Sequence, residues 1–525
     1  MNNLNYSEGG PRDEHIPGTH VMHDHDGLVL QRAHGGTGYV LVPQPSDRPD
    51  DPLNWNWKWK FAVAATQALY VIFTVSSALS MAPMNGLAAK EWPEQSETRI
   101  GLLTGGCVLS LGYANFIIVP CSNIFGRRVT LLVVSVFVIG FAIWEAEAKS
   151  YSSFLASRIM TGVPTAISET LMVQVIADLF FVHERARWMG LYFKAFFFGL
   201  FIGPIISGNM AQRYGWRSFW WLSTALGVFN TVNLLVLFPE TRYRRGPVAD
   251  SDPVSPGEKD ADMRLEAAGE SVTGRGRPSR QQFKLWQPIN PDWRRTLIKD
   301  VLSPWLKFFN PIIFWAGCTM YGSANVLLFF NLTQQTLAGA PWHFSASAMG
   351  YANFAFVIGG LIGLSTAGPL CDWVGNTMTR RNNNVREAEF RLIAMIPFII
   401  IAAIGIAIGG LALQRGWGWA VVLCVGYGFT GVTVTSLPTI AVSYAVDCYT
   451  PIAGDIMVVA TVIKNTAGFG MSYWVFDLIA RKGIFTCAMV QFATCIGPAI
   501  LALPMYFFGK RIRRWTRNSS YHKED

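Results

Sequence analysis

Three ionisable residues stand where an apolar chain should carry no charge: Arg158, Glu169 and Lys464. Each lies inside a mostly apolar run of about twenty residues, the length that crosses a bilayer. Charge at that depth is costly, so such residues pair, line a wet cavity or serve a pathway. Glu169 falls near mid-depth. Arg158 lies 11 residues earlier in the same run, so the two can share one helix face. A carboxylate in a partly dry cavity can exchange a proton on each cycle. The blander roles are a structural Glu bonded between helices and an Arg snorkelling to the outer interface. Lys464 sits near the centre of its run. It has two candidate partners, an anionic substrate group or a facing carboxylate such as Glu169, and a permanent structural ion pair is equally open.

Further polar residues fall within these runs. Asn115, Gln174, Tyr192, Asn325, Asn353 and Tyr427 could complete a pocket, although each alone serves equally as glue between helices. Asp178, Asp447 and Asp455 lie near run ends and read as gate or latch residues. Glu145 and Glu147 close the third run, where solvation is expected. His23-Asp24-His25 is a scattered tail cluster, so no metal site is expected, and no cofactor. No Walker A motif offers ATP as the energy source.

The runs that position these residues dominate the chain. Of 525 residues, 51% are apolar and 15% charged, against about 25% charged in soluble proteins. Twelve spans are expected, at 60–82, 100–119, 129–148, 153–177, 188–210, 217–238, 309–330, 347–370, 391–412, 417–440, 454–475 and 485–508. Too little polar sequence remains for a membrane-anchored soluble enzyme. Runs of this length also exclude an outer-membrane barrel. Residues 1–58 read as a disordered tail ending in Trp55, Trp57 and Trp59 as interfacial anchors, 240–307 as a linker without its own core, and 509–525 as a basic tail. The eight cysteines show no paired spacing, and no cleavable signal precedes the first span. The net charge of +9 comes largely from loop Arg and Lys, which argues for topology and lipid contact rather than nucleic acid. Arg127, Arg128, Arg185, Arg187, Arg380, Arg381 and Arg386 share the side of both termini, which places the termini and linker in the cytosol.

The halves look related. Pro120, Asn123 and Gly126 after span two recur in register as Pro369, Asp372 and Gly375 after span eight. Paired bundles with a site at the repeat interface are a transporter architecture. On these features the chain resembles the major facilitator superfamily, over residues 45–510. Asn123-Ile124-Phe125-Gly126-Arg127-Arg128 resembles its signature loop between spans two and three, with Asn123 where an Asp is usual. In the second half Asp372 is present, but Asn376 replaces the Arg. Arg158 with Gly162 resembles the Arg-x-x-x-Gly motif of proton-coupled members. Gly199, Gly203, Pro204 and Gly208 in span five resemble the antiporter motif of drug:proton efflux families. Asp51-Pro52-Leu53-Asn54-Trp55, His183-Glu184-Arg185, Phe238-Pro239-Glu240-Thr241 and Lys464-Asn465 with Gly468-Phe469-Gly470 resemble a fungal subgroup of polyamine, histidinol and secondary-metabolite carriers.

The resemblance implies an all-α membrane protein of two six-helix bundles with alternating access, and not an enzyme. It implies proton-coupled efflux of a small organic molecule by a monomer in the plasma membrane, with protons and membrane lipid as the other partners. Uptake of a polyamine-like or amino-alcohol cation is the alternative. A nutrient sensor without flux belongs to another class, and the short polar ends speak against it. The motifs leave the substrate open.

Overall fold

The computed structural model describes residues 19–21, 45–46, 48–243, 274–382, 385–449 and 452–516. Most of the N-terminal tail, the linker stretch 244–273 and the tail 517–525 lie outside the described residues.

Among the described residues, eleven helices are long and apolar enough to cross a membrane. The first six are Trp57–Glu91, Glu97–Phe125, Arg127–Glu147, Tyr151–Leu179, Arg187–Tyr214 and Ser218–Leu237. Pro311–Ala338, Ala346–Arg381, Ala388–Arg415, Trp419–Cys448 and Ile484–Trp515 are spans seven, eight, nine, ten and twelve. Span eleven, Ala453–Lys482, is 30 residues long, and Lys464 and Asn465 at its middle dilute its apolarity. The architecture is thus the expected twelve-helix one, with a small antiparallel ribbon pairing Thr19–Val21 with Val385–Glu387. Ile117, Val133, Phe137, Phe229, Ile358, Ile400 and Phe507 stand exposed on the outside of the helices, as a lipid-facing belt requires.

Local sequence sets the ends of several spans. The Asn56, Ser96 and Asn310 side chains accept from free amides at the starts of spans one, two and seven. Gly215 joins spans five and six, and Gly483 joins spans eleven and twelve, both at φ +85°, a conformation costly for any side chain. The same turn at matching places supports the internal repeat. The second signature position departs from it. Span eight runs through Gly375 to Arg381 and turns at Asn382, leaving Asp372 exposed on a helix rather than in a loop.

Three expectations about segment ends need correction. Trp55 is fully buried, with its indole donating to the Asp50 carbonyl at 3.2 Å, so only Trp57 is an exposed anchor. The C-terminal flank continues as helix to Trp515. Arg513 there is buried in a bidentate pair with Glu389, at 3.0 and 2.5 Å. Within the linker, residues 274–276 bond to the start of span one: the Asn56 amide donates to the Gly276 carbonyl at 2.8 Å. Trp293–Lys307 forms a helix.

Candidate functional site

A cavity lies between the halves, holding about 1280 Å³ of empty space including its mouth. Spans one, two, four and five line it from the first half, and spans seven, ten and eleven from the second. One wall is aromatic: Tyr192, Phe193, Phe196 and Phe197 recur at helical spacing along span five. Opposite it, Asn325 of span seven is buried, with its Nδ2 lacking a protein partner. Among the described lining residues, Glu169 is the sole carboxylate and Lys464 the sole cation. The two form an ion pair across the halves, with side chains 5% and 13% exposed. Asn465 Nδ2 approaches the other carboxylate oxygen at 3.5 Å. Of the partners open to Lys464 on sequence, the structure therefore presents Glu169.

Span four positions Glu169 by breaking. Pro164 removes one helical donor, the chain tightens into a 3-10 turn at Ala166–Ser168, and α-helix resumes at Leu171. A break inside a membrane strands backbone carbonyls, which other groups must satisfy. Tyr70 donates to the Pro164 carbonyl at 3.1 Å, and Tyr192 donates to that of Ser168. Thr170 donates to Asn115 Oδ1 at 2.6 Å, while Asn115 donates to Leu111 and Gly112 of its own helix. Asn115 thus holds the break and does not line the cavity.

Arg158 belongs to a different place. Its guanidinium is fully buried within the first half, 3.2 Å from Glu145, and sits over the Trp220 ring at 5.0 Å. It donates to the carbonyls of Leu103 and Ser77 at 3.2 and 3.3 Å, and to that of Ala78. Thr161 adds a bond to Glu145 at 2.8 Å. The solvated Glu145 expected from sequence is therefore corrected to a buried one. Phe154, Trp216 and Trp220 pack together at this end and exclude water. Arg158 neither lines the cavity nor meets Glu169.

Of the other candidates, Asn325, Tyr192 and Asn465 line the cavity, whereas Gln174, Asn353 and Tyr427 do not. Tyr427 stacks on Phe356 at 4.5 Å inside the second half. Asn353 donates to the carbonyls of Met349 and Gly350. Gln174 faces Gly454. Sequence reasoning passed over Met320, Met457, Thr439 and Ser443, which also line the cavity. The aromatic wall had a readable signal in its i, i+3, i+4 spacing.

The loop after span two is a latch built on acids the motif did not point to. Gly126 turns at φ +108°, and Glu240 accepts from the amides of Arg127 and Arg128 at 2.9 and 3.1 Å. Arg127 pairs with Asp178 at 3.3 Å and donates to Asn123 Oδ1 at 2.6 Å. Arg128 caps carbonyls at the end of span six, at Leu234 and Leu235. Asp178 and Glu240 thus supply the acid that Asn123 does not.

Glycines let neighbouring helices approach closely within and between the halves. A Cβ on Gly199 or Gly203 would lie 2.7 or 2.6 Å from backbone oxygens of span one, so both seat span five on that helix. Gly162 likewise fits against Cys107 of span two. Pro204 lies within the continuous helix of span five. Gly208 meets Gly350 of span eight, where its Cβ would come within 3.0 Å of Cα. Gly105 and Gly112 do the same against Ser472 and Asn465 of span eleven. Two glycine-lined seams therefore join the halves.

Comparison with known proteins agrees with this architecture. The chain is 26% identical to Protein HOL1 of Saccharomyces cerevisiae, covering 96% of each. It is 26% identical to the MFS transporter cpaT of Aspergillus oryzae, covering 98% of this chain and 99% of that one. Efflux pump radE of Floropilus chiversii is 23% identical, with 90% and 85% covered. The fold is similar to that of the proton:xylose symporter XylE, with a TM-score of 0.57 at 15% identity over 86% of this chain and 96% of that one. Residues 61–472 match the model of the Major Facilitator Superfamily. The chain is a multi-pass integral membrane protein and belongs to that superfamily of transporters.

Proposed function

We propose that this carrier exports a small amphipathic organic molecule in exchange for protons, with Glu169 as the proton-linked carboxylate. The observation that carries the reading is the Glu169–Lys464 pair, which joins the two halves inside the cavity. Protonating Glu169 removes its charge and weakens that tie, which biases the equilibrium between the two access states. The aromatic wall and Asn325 suit a cargo with an apolar body and a few polar groups. Uptake of a polycation is less well served, because Lys464 already neutralises the one lining carboxylate. The glycine-seated span five and the efflux names among the relatives support export. The Arg-rich loops support cytosolic termini, and export to the outside supports the plasma membrane.

The test is flux in proteoliposomes with a panel of amphipathic and cationic candidates, with and without a pH gradient. Glu169→Gln keeps the side-chain shape and removes titration. It should abolish gradient-driven flux while exchange at equal pH partly survives. Wild-type pH dependence in Glu169→Gln would move the coupling site elsewhere, and binding without flux by the wild type would support a sensor.

A further inference from the structure

The helix Trp293–Lys307 has its amphipathicity inverted relative to a helix packed on a soluble core. The side against the protein is polar. Asp300 accepts from Asn123 of span two at 2.6 Å. Ser303 donates to Asp455 of span eleven at 2.8 Å, and Lys307 pairs with the same carboxylate. The opposite side is apolar and largely exposed: Ile298, Leu302 and Phe309 are 62, 52 and 83% exposed, while Trp305, half exposed, stacks one face of its ring on Phe116 of span two at 5.2 Å. Ile298, Leu302 and Trp305 follow i, i+4, i+7 spacing along one side of the helix, and Phe309 extends the apolar surface in the turn after Lys307. Arg294, Arg295 and Lys299 are exposed around the first turns of the same helix.

Both ends of this helix are tied to ends of membrane spans. The amide of Asn290, just before it, donates to the Ile124 carbonyl in the last turn of span two at 3.1 Å. After Lys307, Asn310 caps span seven. The helix is about 22 Å long by its 15 residues. Pinned at both ends, it lies across the termini face rather than standing out from it. An apolar stripe with tryptophan, level with the ends of the spans and attended by three cations, has the features of a helix seated in the interface.

We propose that residues 293–309 form an interfacial anchor that sinks its apolar stripe into the bilayer on the termini face and binds anionic phospholipid through Arg294, Arg295 and Lys299. Because its polar side holds span two and span eleven together, lipid seated on it bears on the contact between the halves. Each cation near an anionic surface strengthens binding by about fivefold.

The full chain is reconstituted in nanodiscs of phosphatidylcholine alone or with about one third phosphatidylglycerol. An environment-sensitive fluorescent amino acid replaces Ile298. With phosphatidylglycerol, its emission should shift to the blue and be quenched by lipid carrying a nitroxide near the headgroup. The variant Arg294→Gln/Arg295→Gln/Lys299→Gln should weaken the phosphatidylglycerol dependence by roughly tenfold or more, without loss of the monodisperse protein. Emission at the water-exposed position in both lipids overturns the anchor, as does a blue shift that lipid nitroxide leaves unquenched, since the stripe would then face protein. Quenching that is equal with and without phosphatidylglycerol overturns the anionic part of the proposal. None of these readings depends on the cargo or on proton coupling.

Discussion

Replacing Glu145 by alanine strips the only carboxylate from a guanidinium that has no access to water. Arg158 is 0% exposed, and its guanidinium is a buried positive charge. Its bonds to the carbonyls of Ser77, Ala78 and Leu103 survive the change, but the counter-charge does not. Removing one partner of a buried pair costs about 3–5 kcal/mol, against about 0–1 kcal/mol for an exposed one. The double variant Glu145→Leu/Arg158→Met removes both charges at similar volume and should recover most of that loss. Unfolding of the purified carrier in graded dodecyl sulfate, followed by tryptophan fluorescence, gives the comparison. With 19 tryptophans spread through the chain, the signal reads global unfolding, which is the quantity compared. A cost below about 1 kcal/mol for Glu145→Ala would refute the reasoning and return Glu145 to water.

Gly208→Leu places a side chain where a Cβ alone meets the Ala346 carbonyl at 2.6 Å, so it should wedge span five from span eight at about 1–3 kcal/mol. Alkylation of a Thr104→Cys reporter from the face opposite the termini should then rise, and unchanged labelling would count against the seam. Glu240→Ala leaves the Arg127 and Arg128 amides without their acceptor and should cost about 1–3 kcal/mol, with faster proteolysis of the loop as the readout. Burial, with Asp455 nearby, holds the Asp300 carboxyl above the usual aspartate range despite Asn123, Lys299 and Arg127. The native state therefore keeps its proton to higher pH than the unfolded chain. Docking of the linker helix should weaken as pH rises through that raised value, and Asp300→Asn should remove the dependence. Hydrogen exchange of residues 293–307 reads both.

What sequence could and could not reveal follows from which forces are local. The spans were legible because twenty apolar residues have one stable environment, and Glu169 and Lys464 were legible as partners because their depths match. Glu145 was misplaced because its position at a helix end says nothing about Phe154, Trp216 and Trp220 arriving from elsewhere to cover it. Asn353 and Tyr427 look like pocket residues by type and depth, and only packing shows that they face into the second half. The linker helix was hidden by composition averaged over some seventy residues, although its apolar spacing is periodic. Asp178 and Glu240 could not be joined to the Gly126 turn because 52 and 114 positions separate them in the chain.

Under the proposed proton exchange, the pairing of Glu169 with Lys464 also sets how the membrane voltage would act on the cycle. One elementary charge crossing a field of 100 mV changes energy by about 2.3 kcal/mol. With the two opposite charges held together, the form that would carry the cargo outward has no net charge from this pair, so with a neutral cargo its passage would be nearly blind to voltage. The proposed protonation of Glu169 would leave Lys464 uncompensated, and the proton-bearing form would then carry one positive charge at the pair. The proposed exchange of a neutral cargo for a proton would therefore be electrogenic in its proton-bearing half alone, and an inside-negative potential would draw that half inward.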